Sequence, residues 1–267
     1  MNKELQYQQK KIAYRVVGSG QPVILVHGFG EDSTVWRNQV EYLKDKFQLI
    51  VPDLPGSGQS EIIEDMSMEG MAEVIHAIIK EENIDSCPVI GHSMGGYITL
   101  ALVETYPNHI SAYGLFHSSS FADTEEKKAT RRKGIEYIQE KGSFEFLKTA
   151  TPNLFSQKSK DEKPELIDQQ IALAHNFLPA ALVLYYQGMI ERPDRTDILR
   201  KTTVPVLFII GQYDAAVPPE DSLKQSHLPE KSYIHLLQNS GHMGMLEEPD
   251  VSNHHLENFL LDMPTQR

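Results

Sequence analysis

A serine flanked by glycines, at residues 91–95 (Gly-His-Ser-Met-Gly), is the part of this chain best suited to chemistry. The apolar run over 87–90 predicts a buried strand before it, and apolar residues at helical spacing follow over 96–106. The pattern between them predicts a sharp turn that strains the serine backbone and exposes its hydroxyl beyond the sheet. The pentapeptide alone arises by chance in roughly one chain in ten of this length, so the flanking elements carry the inference. Ser93 is the candidate nucleophile.

A serine hydroxyl is a weak nucleophile at neutral pH and needs a base to take its proton. His242 is the candidate base, because it lies on a glycine-bearing loop just after the last apolar strand, and an unperturbed histidine pKa of about 6.5 leaves it mostly neutral. Asp214 directly follows the predicted strand over 204–210 and can orient and stabilise the imidazole. Loops that follow parallel strands gather at one edge of the sheet, so Ser93, Asp214 and His242 are predicted to meet there.

The elements that must position these side chains alternate along the chain. Two strands with alternating polarity are predicted over 3–17, and the apolar strands that follow are predicted at 22–27, 47–52, 87–90, 111–116, 204–210 and 233–237. Helices are predicted at about 33–44, 67–82, 96–106, 219–227 and 250–261. Such alternation predicts an α/β fold with a mostly parallel central sheet flanked by helices.

One long segment interrupts the alternation. Residues 119–197 are rich in charge and in helix formers and show no convincing strand. We therefore expect a helical cap, or lid, at 119–197, inserted into a core formed by 1–118 and 198–267.

Composition limits the partners that the protein can have. The 267 residues include 25 Lys plus Arg and 37 Asp plus Glu, a formal charge of −12, which disfavours nucleic acid and anionic membranes. Cys87 is the single cysteine, so no intrachain disulfide can form. No stretch approaches eighteen apolar residues and the first ten residues lack an apolar signal region. We expect a cytoplasmic protein, monomeric or homodimeric, that acts on a small-molecule substrate without contacting a membrane.

Five motifs in order resemble those of the α/β-hydrolase fold superfamily, in its serine-nucleophile, esterase/lactonase-like branch with a helical cap. The resemblance covers about residues 14–259. The motifs are Gly-His-Ser-Met-Gly-Gly at 91–96, His-Gly-Phe-Gly at 27–30, Asp-Leu-Pro-Gly-Ser-Gly-Gln-Ser at 53–60, Gly-Gln-Tyr-Asp at 211–214 with Val217-Pro218, and Ser-Gly-His at 240–242. The resemblance implies an oxyanion hole made by the backbone N–H groups of Phe29 and Met94, which are expected to touch the substrate as well.

Cap aromatics could wall a substrate pocket, although about half of them will form the core of the cap. The full set of candidate pocket residues is Phe29, Met94, Phe121, Phe144, Phe155, Tyr186 and Met243. No cofactor is expected, because the chain lacks Walker and Rossmann glycine patterns. No metal is expected either, because the paired histidines at 254–255 have no Cys or carboxylate at ligand spacing.

The resemblance implies a serine hydrolase acting on a small, largely apolar carboxylic ester or lactone. Two alternatives stay open at this point. One is a slow hydrolase-type receptor for a small signalling molecule. Residues 28–32 (Gly-Phe-Gly-Glu-Asp) and Trp36 resemble the corresponding residues of such receptors, whereas the long charged cap does not resemble their lid. The other is a carbon–carbon bond hydrolase or a perhydrolase that uses the same three residues.

Overall fold

The computed structural model describes residues 1–263, so the last four positions of the predicted 198–267 core segment lie outside it. Its centre is an eight-stranded sheet in the order β1-β2-β4-β3-β5-β6-β7-β8. β1 and β2 are antiparallel to their neighbours, and β3 to β8 run parallel. The strands are β1 Asn2–Tyr7, β2 Lys10–Val17, β3 Gln21–Val26, β4 Phe47–Pro52, β5 Cys87–His92, β6 Ile110–Phe116, β7 Val206–Gly211 and β8 Ser232–Leu237. The predicted fold class is confirmed.

Helices cover both faces of this sheet, which explains why the central strands are continuously apolar. Outside the 119–197 segment they are α1 Arg37–Leu43, α2 Met68–Glu81, α3 Met94–Thr105, α9 Pro219–Ser226, α10 Gly244–Glu247 and α11 Pro249–Leu261. Successive residues of β3 point to opposite faces: Ile24 packs in the cluster that contains α2 and α3, while Leu25 packs in the cluster that contains α1 and α11. Burial of each such side chain stabilises the fold by about 1.5–3 kcal/mol.

The helix predicted at 33–44 is divided in two. Asp32 accepts the backbone N–H of Thr34 at 2.8 Å and caps a 3₁₀ turn at Ser33–Trp36, after which α1 begins at Arg37. A side chain that accepts from the residue two positions on favours this tight first turn over a regular α-helical start.

Helices fill the segment predicted as a cap. They are α4 Glu125–Ala150, α5 Gln157–Glu162, α6 Pro164–Leu173, α7 Pro179–Glu191 and α8 Thr196–Lys201, the last of which crosses the predicted boundary at 197. The Thr124 hydroxyl caps α4 by accepting the N–H of Lys127 at 3.2 Å. Gly142, at φ 88°, breaks α4 into two parts, a conformation that glycine adopts without strain. Within residues 1–263, no helix is both long and apolar enough to cross a membrane.

Candidate active site

Ser93 stands between the last residue of β5 and the first of α3, at φ 51° and ψ −116°. Such angles are strained for a residue with a side chain and persist only where the surroundings impose them. Ser118 Oγ donates to the carbonyl of Ser93 at 2.7 Å. A Cβ at Gly91 would overlap the backbone of Gly95, and a Cβ at Gly95 would lie 2.5 Å from the carbonyl oxygen of Val26. Close backbone packing therefore requires both glycines, and it holds the serine at the tip of the turn.

The predicted base and acid contact one another. Nδ1 of His242, on the loop after β8, donates to Asp214 Oδ2 at 2.8 Å, and both side chains are buried. The other oxygen of Asp214 accepts the backbone N–H groups of Ala216 and Val217 at 2.9 and 2.8 Å. Because Nδ1 holds the proton that faces the carboxylate, Nε2 of His242 is the nitrogen that can accept one.

Burial and the neighbouring charges oppose one another in this pair. Burial alone would raise the pKa of Asp214, but His242 and His117 outweigh it and the pKa of this carboxyl lies well below its usual range. Burial alone would lower the pKa of His242, but the carboxylates of Asp214, Glu31 and Glu247 raise it above its ordinary value. The aspartate is therefore ionised, and the histidine is a stronger base than free imidazole.

Ser93 and His242 line one cavity of about 580 Å³. The structure thus brings the three predicted side chains to the carboxyl edge of the sheet. No Ser93–His242 hydrogen bond is formed among the described residues; such contacts commonly tighten only when substrate is bound. This arrangement can supply a nucleophile, a proton acceptor and an orienting carboxylate to a molecule in the cavity.

The loop after β3 packs directly against the serine turn. A Cβ at Gly28 would lie 3.1 Å from Ser93 Cβ and 3.0 Å from His92 Nδ1, so a larger residue there would have to push these side chains aside. Phe29 follows it and stacks on Tyr186 of α7 with ring centroids 4.3 Å apart. Met94 is the first residue of α3, where the backbone N–H has no acceptor within the helix. The two predicted oxyanion N–H groups thus belong to backbone segments that adjoin Ser93.

A buried contact between Glu31 and His92 connects this loop with the His242 loop. Glu31 Oε2 accepts the Gly28 N–H at 2.7 Å and faces His92 Nδ1 at 3.0 Å, while His92 Nε2 faces the carbonyl oxygen of His242 at 2.9 Å. Both ring nitrogens of His92 thus face oxygen atoms, one of a carboxylate and one of a backbone carbonyl. Burial alone would raise the pKa of Glu31, but His92 and the Gly28 N–H lower it overall. Sequence reasoning gave neither residue this role.

His117 is a further buried histidine beside the acid, and sequence reasoning did not single it out. It follows β6 directly, and its Nδ1 lies 3.2 Å from Asp214 Oδ2. The rule that selected Asp214, a polar residue directly after a parallel strand, would have selected His117 as well. The nitrogen and oxygen atoms of His117, Asp214 and His242 lie within 4.8 Å of one another, a spacing that a metal ion could bridge. Both Nδ1 atoms face the Asp214 carboxylate, at 2.8 Å for His242 and 3.2 Å for His117.

The predicted pocket residues occupy different places. Phe29 and Tyr186 line the main cavity, and Met243 lines a smaller one of about 90 Å³ that shares both rings. Phe121 lines a neighbouring cavity of about 330 Å³. Met94 is fully buried beneath the site.

Two of the predicted pocket residues lie elsewhere. Phe144 stacks on His175 within the cap, with centroids 3.8 Å apart, and Phe155 packs in the core cluster of α1 and α11. Which face of a cap helix meets the cavity depends on how the cap docks, and sequence periodicity does not reveal that. The cavity residues that sequence reasoning missed include Tyr97, Thr124, Lys127, Arg131, Leu154 and Met189.

The first turns of α4 give the cavity a charged side. Arg131 lies 5.4 Å from the Tyr186 ring centroid and pairs with the buried Asp123 at 2.5 Å. Arg192 pairs with the same carboxylate at 2.9 Å. Two guanidinium groups thus share one carboxylate at the base of the cap, while Phe29 and Tyr186 supply the apolar wall.

The chain matches the family model described as alpha/beta hydrolase fold over residues 21–141. Among curated proteins, it is 26% identical to "Karrikin insensitive 2 receptor IA" of Petunia hybrida, over 91% of this chain and 92% of that relative. It is also 26% identical to "2-hydroxy-6-oxo-6-(2'-aminophenyl)hexa-2,4-dienoic acid hydrolase" of Metapseudomonas resinovorans, over 89% of this chain and 83% of that relative.

Solved structures show the same similarity over the full chain. A thermophilic esterase from Thermogutta terrifontis is 29% identical and superposes with a TM-score of 0.92, covering 98% of both chains. An esterase from Exiguobacterium antarcticum is 22% identical with a TM-score of 0.90, over 98% of this chain and 100% of the other. At 22% identity, the similarity to the Exiguobacterium esterase shows the fold alone.

Proposed function

Because the chain belongs to the α/β-hydrolase fold superfamily, we propose that it is a cofactor-free serine hydrolase that cleaves a small, largely apolar carboxylic ester or lactone. The observation that carries the proposal is the convergence on one cavity of a strained serine with a buried, hydrogen-bonded His242–Asp214 pair. Similarity to the Thermogutta esterase supports the ester-hydrolase class.

The proposed reaction has two halves. His242 Nε2 takes the proton of Ser93 Oγ while that oxygen bonds to the substrate carbonyl carbon, and the N–H groups of Phe29 and Met94 bind the oxyanion. His242 then gives its proton to the departing alkoxide, which leaves an acyl-enzyme. In the second half a water molecule gives its proton to His242 and attacks the acyl carbon. The proton then returns to Ser93 as the carboxylic acid leaves. Asp214 stabilises the imidazolium in both halves.

The volume and the lining of the main cavity suit a small substrate. The cavity of about 580 Å³ lies within the range of ordinary small-ligand sites. Phe29 and Tyr186 provide apolar contact beside the reacting carbonyl, while Arg131 and Lys127 lie on the cap side.

Ser93→Ala tests the nucleophile. We expect loss of hydrolysis of p-nitrophenyl acetate and butyrate by at least about a thousandfold, with an unchanged unfolding midpoint, and loss of labelling by a fluorophosphonate. Ser111→Ala is the matched control, because the Ser111 hydroxyl is buried on β6 without a hydrogen-bond partner among the described residues. Ester turnover that survives in Ser93→Ala would remove this serine from the mechanism.

A second candidate is a slow hydrolase that signals through a partner protein. The similarity to the Petunia karrikin receptor favours it. Turnover well below one per minute, together with ligand-dependent binding of a partner, would support the receptor, whereas rapid hydrolysis of short esters would support the enzyme.

A third candidate keeps the same residues but changes the bond that is cleaved. The similarity to the Metapseudomonas dienoic acid hydrolase favours carbon–carbon hydrolysis; a perhydrolase also stays open. A substrate panel of short esters, lactones and vinylogous 1,5-diketones, with peroxide added in a parallel series, separates the three reactions.

A further inference from the structure

His117 has several unusual features that the proposed reaction leaves unused. It is fully buried, directly after β6, and its backbone φ is 50°, a left-handed conformation that bulky residues rarely adopt. Ser93, at the end of the neighbouring strand, also has a positive φ, of 51°. Such conformations persist where the surrounding structure imposes them.

The hydrogen bonds of the ring fix where its proton lies. The backbone N–H of Gly244 donates to His117 Nε2 at 3.2 Å, so this nitrogen carries no proton. A neutral ring must then be protonated on Nδ1, the atom that lies 3.2 Å from Asp214 Oδ2. The alignment falls short of a full hydrogen bond, which leaves Nδ1 without another partner among the described residues. A buried N–H therefore points at the acid with nothing else to bind.

The His117 ring is tightly packed on two sides. A Cβ at Gly211 would lie 2.8 Å from Cε1 of His117, and a Cβ at Gly244 would lie 2.5 Å from its Nε2. The ring is thus clamped between the start of the acid loop and the segment that follows His242, and it cannot turn away from Asp214.

We propose that His117 is a positioning residue, which holds the Asp214 carboxylate beside His242 and limits how basic that imidazole becomes. The inference rests on the proposed function, because it requires His242 to be the general base. A neutral donor shares the negative charge of Asp214, so less of that charge acts on His242.

The ring remains neutral because of the groups around it. Asp214 from the loop after β7, His242 from the loop after β8 and His92 from β5 face the His117 ring. Burial lowers the pKa of His117 to about 4 despite the neighbouring carboxylate, and the other two histidines act in the same direction as burial. His117 is thus a donor, not a cation, at neutral pH.

Two substitutions distinguish a role of His117 as a hydrogen-bond donor from a role in packing alone. In His117→Leu the N–H is lost; we expect kcat to fall about tenfold and the acid limb of the kcat/KM profile to move up by about half a pH unit. In His117→Asn the side-chain amide places an N–H near the position of Nδ1, and asparagine tolerates a positive φ. We expect this variant to stay within about threefold of the wild-type kcat with its acid limb unmoved.

A purely structural role would lower the unfolding midpoint without moving the limb. A His117→Leu variant with the wild-type kcat and pH profile would therefore overturn the proposal, as would equal losses in the Asn and Leu variants.

If His117→Leu does not fold, ¹⁵N-histidine NMR of the wild-type protein decides. We expect one ring that stays neutral from pH 5 to 9 with its proton on Nδ1, assigned by its absence in His117→Asn. A proton on Nε2, or titration near pH 6.5, would overturn the proposal. This readout does not depend on hydrolysis, so it remains informative even if Ser93→Ala refutes the proposed function.

Discussion

Replacing Glu31 tests the buried connection between the oxyanion loop and the His242 loop. The carboxylate holds the Gly28 N–H at 2.7 Å and the His92 ring at 3.0 Å, and that ring holds the His242 carbonyl at 2.9 Å. In Glu31→Gln the amide oxygen can take the position of Oε2 and accept from both the Gly28 N–H and the Nδ1–H of His92. The Gln variant therefore keeps these hydrogen bonds and removes the negative charge.

Glu31→Leu, in contrast, leaves the Gly28 N–H and Nδ1 of His92 without an acceptor, while Nε2 of His92 still faces the His242 carbonyl. Each buried donor that is left unsatisfied costs about 1–3 kcal/mol. We therefore expect the free energy of unfolding to fall by about 2–6 kcal/mol in the Leu variant, which loses two such contacts, and by less in the Gln variant. Since an oxyanion donor contributes up to about 3–4 kcal/mol to catalysis, its partial misplacement should lower kcat about tenfold to a hundredfold in Glu31→Leu.

Urea unfolding at pH 7 and p-nitrophenyl butyrate turnover measure the two effects. Glu64, which is exposed, provides matched Gln and Leu control variants that should change neither quantity by more than about 0.5 kcal/mol or twofold. Equal damage in the Gln and Leu variants of Glu31 would show that the ionic charge, and not the hydrogen-bond geometry, holds the loops. An undamaged Glu31→Leu would refute the connection altogether.

The remaining predictions concern pH, packing and the pocket. Because His242 must be neutral to act and its pKa is raised, kcat/KM should fall tenfold per pH unit below an apparent pKa above 6.5, measured with short esters; a limb well below 6 contradicts this. The pKa of His117 is about 6.5 in the unfolded chain and about 4 in the folded protein. Acidification from pH 8 to pH 5 should therefore lower the free energy of unfolding of the wild-type protein by about 2 kcal/mol through this residue, a loss that His117→Asn should not show. Gly91→Ala should reduce stability by more than about 4 kcal/mol, whereas Gly142→Ala, which has open space but a positive φ, should cost about 1 kcal/mol in the same thermal scan. Tyr186→Ala removes the ring stacked on Phe29 and should lower kcat/KM about tenfold, mainly through KM, if that ring contacts substrate.

Much of the fold could be predicted because its signals are local. The apolar runs of β3 to β7 and the glycines beside Ser93 are dictated by burial on both faces and by close backbone approach, and both leave a mark in the sequence. The rule that loops after parallel strands gather at one edge selected Asp214 and His242 as well.

The parts that were missed depend on contacts between distant segments. Glu31 and His92 are separated by 61 positions, and nothing in either neighbourhood shows that they meet. Phe155 was expected in the pocket but packs in the core, because the docking of the cap, not its composition, decides which aromatic rings face the cavity.

Phe29 and Gly30 join the serine turn to the cap. The Phe29 backbone belongs to the segment that adjoins Ser93, while its ring stacks on Tyr186 of α7. The next residue, Gly30, fits against Leu147 of α4. The cap helices α4 and α7 therefore rest directly on the loop beside the nucleophile, and a substitution that shifts either helix should alter the packing of that loop.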